Sequence, residues 1–158
     1  MRITIIILLI TIFILLQSSI PPRYEAYVKE HLLTAQMLEQ AYGIPVSIQF
    51  AQAIQESGAG RSNIAKESKN HFGIRCGDNW KLDRYYCSSG CWRKYPTVQA
   101  SWVDHARYIA NYYPNAMHKN WQFYGKLEGY GEAGYWSKIV RIVKKYKLYQ
   151  YDTAYSCN

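Results

Sequence analysis

The sequence lacks the residue patterns of several functional classes. No H-E-x-x-H zinc-protease motif occurs, and the histidines are scattered along the chain: His31, His71, His105 and His118. No nucleic-acid-binding motif is present. Internal repeats, low-complexity stretches and a second domain are also missing from the 158 residues, a length that suits one domain with a real core. We therefore expect one globular domain, a monomer that uses no cofactor.

The N-terminal segment lacks a run of apolar residues long enough to cross a membrane. Residues 3–16 are apolar apart from two threonines, whereas a spanning helix needs about 20 residues. Arg2, this run and the small residues that follow predict a secretory signal over residues 1–19. A short uncleaved anchor is the alternative, because Gln17 is a poor residue upstream of a cut after Ser19. We therefore expect an exported protein, in the periplasm, the cell envelope or the medium. It would touch the membrane only through residues 3–16, if these are retained.

Cysteines are few: Cys76, Cys87, Cys91 and Cys157. An even number in an exported small domain predicts disulfides, and the residues alone leave three pairings open. Cys87 and Cys91 have a spacing that suits zinc, but no matched second pair stands nearby, so we expect no metal site.

Acidic residues are also scarce, with 11 Asp+Glu against 19 Lys+Arg and a formal net charge of +8. A basic surface favours anionic partners, or serves only solubility. For an exported protein, the acidic polymers and peptide stems of the bacterial cell wall suit this charge better than nucleic acid does.

Glu56 is the most informative residue that is present. It ends an apolar-periodic helix in the segment QFAQAIQESGAGRS, residues 49–62. A helix C-terminus carries partial negative charge, which disfavours an ionised glutamate and raises its pKa, as a general acid requires. The alternative is a solvated glutamate before the glycine cap at Gly58.

Further motifs follow Glu56 in order: NHFGIR at residues 70–75 with Trp80 after it, WRKY at 92–95, SWVDH at 101–105, and Gly129-Tyr130 followed by YWSKI at 135–139. Together they resemble the glucosaminidase-type peptidoglycan hydrolases, glycoside hydrolase family 73, or mannosyl-glycoprotein endo-β-N-acetylglucosaminidase-like domains. The resemblance covers roughly residues 24–150. It implies an α+β, mainly α, lysozyme-like fold with a small β-hairpin lobe flanking a substrate cleft.

We therefore expect the glucosaminidase domain at residues 20–152 and a tail at 153–158. Helical periodicity and capping residues predict its elements along the chain. They are helices over residues 24–42, from 46, over 63–69, over 98–112, over 121–127 and from 136, with a β-hairpin lobe between 72 and 95.

The resemblance also implies roles for single residues. Glu56 would be the general acid that cleaves the β-1,4 bond from N-acetylglucosamine to N-acetylmuramic acid in peptidoglycan glycan strands. Tyr135 would hydrogen-bond the substrate N-acetyl group or orient water, unless it only packs above Ile139. The remaining positions match the substrate-binding part of the family's motifs: Asn70, Phe72, Gly73, Trp80 and Tyr130. Relatives also favour a Cys76–Cys91 disulfide, which would leave Cys87 to pair with Cys157.

The second carboxylate of such enzymes is where the match fails. The loop at residues 85–91, where relatives often have an acid, has none. Asp83 and Asp78 are the nearest candidates, while Asp104 sits inside a helix, where a structural hydrogen bond suits it better. Glu132 is a further acid without an assigned place. Asp83 could swing in, the substrate N-acetyl oxygen could replace a protein nucleophile, or Glu56 with a positioned water could suffice.

Three alternatives to an endo-glucosaminidase follow from this gap. A degenerate domain could bind the wall without catalysis, although it would have no reason to keep Glu56. A lytic transglycosylase could use the single acid and release an anhydro-sugar, and a muramidase would cut the other linkage.

Overall fold

Proline and glycine set the bounds of the first two helices. The computed structural model describes residues 20–153, so the predictions for residues 1–19 and for Cys157 lie outside the described residues. Helix α1 spans Pro22–Tyr42 and ends at Gly43, whose left-handed φ of 66° suits a residue without a Cβ. Helix α2 spans Val46–Ser57, begins after Pro45 and ends in the same way at Gly58, with φ 60°.

Helix α2 is the centre of the fold and is buried on more sides than the apolar periodicity of its sequence indicates. Every residue from 46 to 54 is buried, because α1, the last helix and the 3-10 turn Leu148–Tyr151 pack around it. Even Gln49 is buried, and its amide donates to the carbonyls of Ala35 and Ile44 at 2.9 Å each. A helix enclosed in this way holds its C-terminal residues in a fixed position.

The β lobe is small and lies between helices α3 (Asn63–Ser68) and α4 (Val98–Tyr112). Strands β1 (Arg84–Cys87) and β2 (Gly90–Arg93) pair antiparallel in a two-stranded hairpin. The predicted disulfide joins Cys76 to Cys91, with Cα atoms 5.6 Å apart, and so ties β2 to the segment before the hairpin. Cys87 forms no disulfide with any residue of the described range 20–153.

Two short helical segments and one long helix complete the chain. The 3-10 turn Pro114–Ala116 and helix α5 (Trp121–Tyr124) precede helix α6 (Tyr135–Lys145). Trp136, Ile139 and Val143 bury one face of α6 against α2, as the periodicity predicts. Helix α5 is shorter than predicted and is capped by Asn120, whose side chain accepts from the backbone N–H of Phe123. In the part of the chain that the structure describes, no helix combines the length and the apolar character of a membrane span.

Asp104 fastens the β lobe to helix α4. Its carboxylate accepts hydrogen bonds from the Arg93 guanidinium and the Tyr95 hydroxyl, each at 2.6 Å. This placement gives Asp104 the structural role that the sequence indicates, and it leaves Arg93 neutralised at the base of β2.

We predict that the Cys76–Cys91 disulfide contributes about 3 kcal/mol to the free energy of unfolding, since it closes a loop of 15 residues. The Cys76→Ser/Cys91→Ser double variant should lose this amount in denaturant unfolding without reductant, and non-reducing peptide mapping should recover the pair. Reduction should leave the double variant unchanged. A further loss on reduction would reveal a second bridge, and free thiols at both positions in the wild type would refute the assignment.

Candidate active site

Glu56 lies at the end of helix α2, where the enclosed helix meets open space. Its neighbours Ile54 and Ser57 are buried, while Glu56 itself is half-buried. The Ser57 hydroxyl donates to the Ala53 carbonyl and accepts from the Gly60 backbone N–H. These bonds fix the turn that follows Glu56, so its carboxylate projects from a rigid support.

Tyr135 donates a hydrogen bond from its hydroxyl to Glu56 Oε1 at 2.6 Å. Tyr135 is the first residue of helix α6, so this bond joins the central helix to the last one. Gln52, one turn before Glu56, donates from Nε2 to the same hydroxyl oxygen at 3.3 Å. The Gln52 amide thereby occupies the acceptor side of the hydroxyl and leaves its proton directed at Glu56.

Burial raises the pKa of the Glu56 carboxyl, and the Tyr135 hydrogen bond opposes this by stabilising the ionised form. Burial is the larger of the two effects, so the net shift is upward. The same burial raises the pKa of Tyr135, which keeps its phenol protonated and a donor. Glu56 is therefore a carboxyl that retains its proton to higher pH than an exposed glutamate would.

A first cleft of about 420 Å³, here called the lobe cleft, separates Glu56 from the β lobe. Of the predicted site residues, it brings together Glu56, Phe72, Gly73 and Tyr130. Gly73 lies so close that a Cβ there would stand 3.4 Å from Glu56 Oε2, and its φ of 61° also favours glycine. Tyr130 packs against the Tyr135 ring with centroids 4.5 Å apart.

Phe72 forms the floor of the lobe cleft rather than an open wall. It is 1% exposed and stacks on the buried His105 with ring centroids 3.8 Å apart. Burial lowers the pKa of His105 to about 3, so this imidazole is neutral and serves packing.

Asn70 and Trp80 support the site instead of lining it, which differs from our expectation of substrate contact. Asn70 is 1% exposed, and its amide bonds the backbone of Ile74 in both directions and the Arg93 carbonyl. These three bonds use the side chain fully inside the lobe. The Trp80 indole donates to the Asp83 carbonyl at 2.8 Å and packs edge-on against Tyr95, away from the lobe cleft.

The structure does not bring Asp83 to Glu56. Its side chain is exposed on the far part of the lobe, and its backbone carbonyl is held by Trp80 and by the Lys94 N–H. Glu132 is paired with Lys138 on helix α6. Within residues 20–153, Glu56 is the one acidic side chain lining the lobe cleft.

Sequence reasoning missed several residues of the site. Gln52 stands in the Q-A-x-x-E segment, and its position one turn before Glu56 was the available signal. Tyr108 and Tyr112, one turn apart on α4, line the lobe cleft, and Tyr112 is 67% exposed. Arg75 also lines it, with its guanidinium 4.3 Å from the centre of the Trp92 ring. In residues 20–153, no group of three or more His, Cys, Asp or Glu side chains is placed to hold a metal ion.

The profile of one protein family matches this chain over residues 33–148: glucosaminidase, described as mannosyl-glycoprotein endo-beta-N-acetylglucosaminidase. The chain belongs to the glucosaminidase family. This confirms the resemblance drawn from the motifs, which had placed the chain in glycoside hydrolase family 73.

Relatives and solved structures agree with this membership. The glucosaminidase-family chain is 30% identical to the exo-glucosaminidase LytG of Bacillus subtilis, over 75% of this chain and 50% of LytG. It is 29% identical to an autolysin of Enterococcus faecalis, over 80% of this chain and 21% of the autolysin. The chain therefore spans between a fifth and a half of these relatives' length.

The catalytic domain of the autolysin Auto from Listeria monocytogenes has a similar fold, with a TM-score of 0.68 and 26% identity. The match covers 88% of this chain and 93% of that domain. A peptidoglycan hydrolase from Sphingomonas sp. A1 matches with a TM-score of 0.67 and 27% identity, over 80% and 91% of the two chains. These neighbours confirm the predicted mainly α, lysozyme-like fold.

We predict that Tyr135→Phe shifts the alkaline limb of the kcat/KM pH profile to higher pH. The lost hydroxyl stabilises ionised Glu56, so its removal raises the pKa of the free-enzyme acid further. Tyr113→Phe is the matched control, because its hydroxyl belongs to the same aromatic cluster and makes no hydrogen bond to Glu56. A limb that stays in place, or moves to lower pH, in Tyr135→Phe would contradict this description of the site.

Proposed function

We propose that this chain is an exported peptidoglycan hydrolase. It cleaves the β-1,4 bond between N-acetylglucosamine and N-acetylmuramic acid, with Glu56 as the general acid. The observation that carries this proposal is the half-buried Glu56 carboxyl, raised in pKa and bonded to Tyr135 at the edge of a cleft. Membership of the glucosaminidase family supports the same substrate class.

Proton delivery to the glycosidic oxygen is the step that Glu56 can perform. A general acid must hold its proton until the bond begins to break, and the raised pKa of Glu56 favours this. The rigid turn after the residue and the hydroxyl of Tyr135 fix where the proton is delivered. Tyr135 thus acts as a positioning residue for the acid. Tyr130, which packs on the Tyr135 ring, lines the lobe cleft and offers an aromatic surface to a sugar.

Among residues 20–153, no second acid lines the lobe cleft, and this favours single-acid mechanisms. With Asp83 outside this cleft, attack on the oxocarbenium-like centre would come from the substrate N-acetyl oxygen or from a water. A lytic transglycosylase is the second candidate function on the same observation, since it too requires one acid.

Export is supported by the disulfide and by the charge of the chain. The Cys76–Cys91 bridge suits an oxidising compartment, and the basic surface suits an acidic cell wall.

We predict that Glu56→Gln abolishes turnover of purified peptidoglycan while the fold persists. Borohydride reduction and mass spectrometry of wild-type products should identify reduced N-acetylglucosamine ends. Anhydro-muramyl ends would instead establish the transglycosylase, and reduced muramyl ends a muramidase. Full activity in Glu56→Gln would refute the assignment of the acid.

Thermal unfolding provides the control for this variant. Because the folded-state pKa of Glu56 is raised, its ionised form is disfavoured in the folded protein, and stability falls as pH rises above the ordinary glutamate pKa. Glu56→Gln removes this ionisation, so at pH 7 the variant should be at least as stable as wild type. If the inactive variant has also unfolded, misfolding would explain its loss of activity.

A further inference from the structure

Glu56 also faces a second cleft, here called the arginine cleft, of about 500 Å³. It lies between the start of helix α1, with Arg23 and Tyr24, and the turn that follows α2, with Gly58 and Arg61. The two clefts share Glu56 and no other residue. A glycan strand whose scissile bond lies at Glu56 would therefore place one sugar in each cleft.

Two arginines, Arg23 and Arg61, line the arginine cleft. Arg23 and Arg61 are both exposed, and neither forms an ion pair within residues 20–153. Arg23 lies over the Tyr24 ring, 4.7 Å from its centroid, and donates to that hydroxyl. The lobe cleft also has two arginines, of which Arg93 is neutralised by Asp104. The other, Arg75, lies over the Trp92 ring and donates to the Ser89 carbonyl.

No acidic residue other than Glu56 lines the arginine cleft among the described residues, and Glu56 is disfavoured as an anion by burial. Two guanidiniums without an acidic partner make a site for an anion. Arginine recognises carboxylates through paired N–H donors, so a carboxylate is the ligand that this lining fits.

Of the two sugars that the proposed bond joins, only muramic acid has a substituent that carries carboxylates. N-acetylglucosamine carries none, whereas muramic acid carries a lactyl group that ends in a carboxylate or in a peptide stem with carboxylates of its own. Tyr108, Tyr112 and Tyr130 line the lobe cleft, and their aromatic rings suit the uncharged sugar. The arginine cleft would then bind the anionic sugar, muramic acid.

We propose that Arg23 and Arg61 bind a carboxylate carried by the muramic acid residue on the leaving-group side of the scissile bond. This inference rests on the proposed function, and it gives that function its specificity for peptidoglycan over uncharged glycans. The cleft also sets the direction in which a strand lies across Glu56.

The test measures binding in the Glu56→Gln background, so that turnover does not consume the ligand. Soluble glycan strands bearing peptide stems are titrated by calorimetry into Glu56→Gln and into the same protein with Arg23→Gln/Arg61→Gln. We expect the Kd to rise about tenfold or more, the effect of losing hydrogen bonds to a charged group. Arg107→Gln/Arg141→Gln is the matched control, because these two exposed arginines carry the same charge and line neither cleft.

Two modified ligands identify the carboxylate. On strands whose carboxylates are amidated with carbodiimide, the difference between the proteins with and without Arg23 and Arg61 should vanish. Removing the stems frees the lactyl carboxylates, so on stripped strands a persisting difference shows that the arginines also bind the lactyl carboxylate. A lost difference assigns the stem carboxylates alone. An equal Kd for both proteins on unmodified strands would overturn the inference, as would an equal effect of the control pair or a difference that survives amidation.

Wild-type turnover of the same unmodified strands separates this inference from the proposed function. If the wild type releases reducing ends and the Kd is equal with and without the two arginines, only the proposed role of the arginine cleft is overturned. Failure of the wild type to cleave the strands would overturn the proposed function, whatever the binding shows.

Discussion

The hydrogen bond between the Tyr135 hydroxyl and Glu56 links residues far apart in sequence and depends on most of the fold. Tyr135 reaches Glu56 because helix α6 packs its Trp136 and Ile139 face against α2. Gln52 then orients the hydroxyl from the same helix that carries Glu56. Loss of packing between α2 and α6 would therefore remove the bond and expose the carboxyl, which would return its pKa toward the ordinary value.

Enclosure of helix α2 is what makes this arrangement rigid. A helix with one buried face could rotate slightly, whereas residues 46–54 are surrounded on all sides. The enclosure requires that polar side chains within α2 find partners, and the amide N–H groups of Gln49 and Gln52 do. Their amide oxygens are buried without a hydrogen-bond partner among the described residues. At the other end of α2, Asp152 accepts from the Ser47 backbone N–H at 2.7 Å, which closes the C-terminal segment onto the helix start. The start of α2 thus anchors the C-terminal segment, and its end positions the Glu56 carboxyl.

Local signals in the sequence predicted much of the fold, because caps act over a few residues. Gly43 ended α1 and Thr97 began α4 where the sequence placed them. The disulfide partner of Cys76 came from family resemblance and is present in the structure. The enclosure of α2 was missed because the spacing of apolar residues in a sequence does not show how many elements pack around the helix.

The site was predicted less completely, since a motif identifies a residue without saying which way it faces. Glu56 and Tyr135 matched the motifs and meet in space, whereas Asn70 and Trp80 matched equally well and support the lobe from inside. Asp83 was a candidate on sequence distance alone, and the hairpin holds it away from Glu56. The pairing of a tyrosine-lined cleft with an arginine-lined one depends on Arg23 and Arg61 converging from two elements, which no local pattern shows.

The central claim is that burial raises the pKa of the Glu56 carboxyl, and carboxyl NMR of the free protein tests it most directly. The side-chain carboxyl ¹³C resonance of Glu56, assigned by its absence from Glu56→Gln, is followed as pH is raised. The account predicts a titration midpoint above the ordinary glutamate value of about 4.3. A Glu56 midpoint at or below about 4.3 would contradict the account.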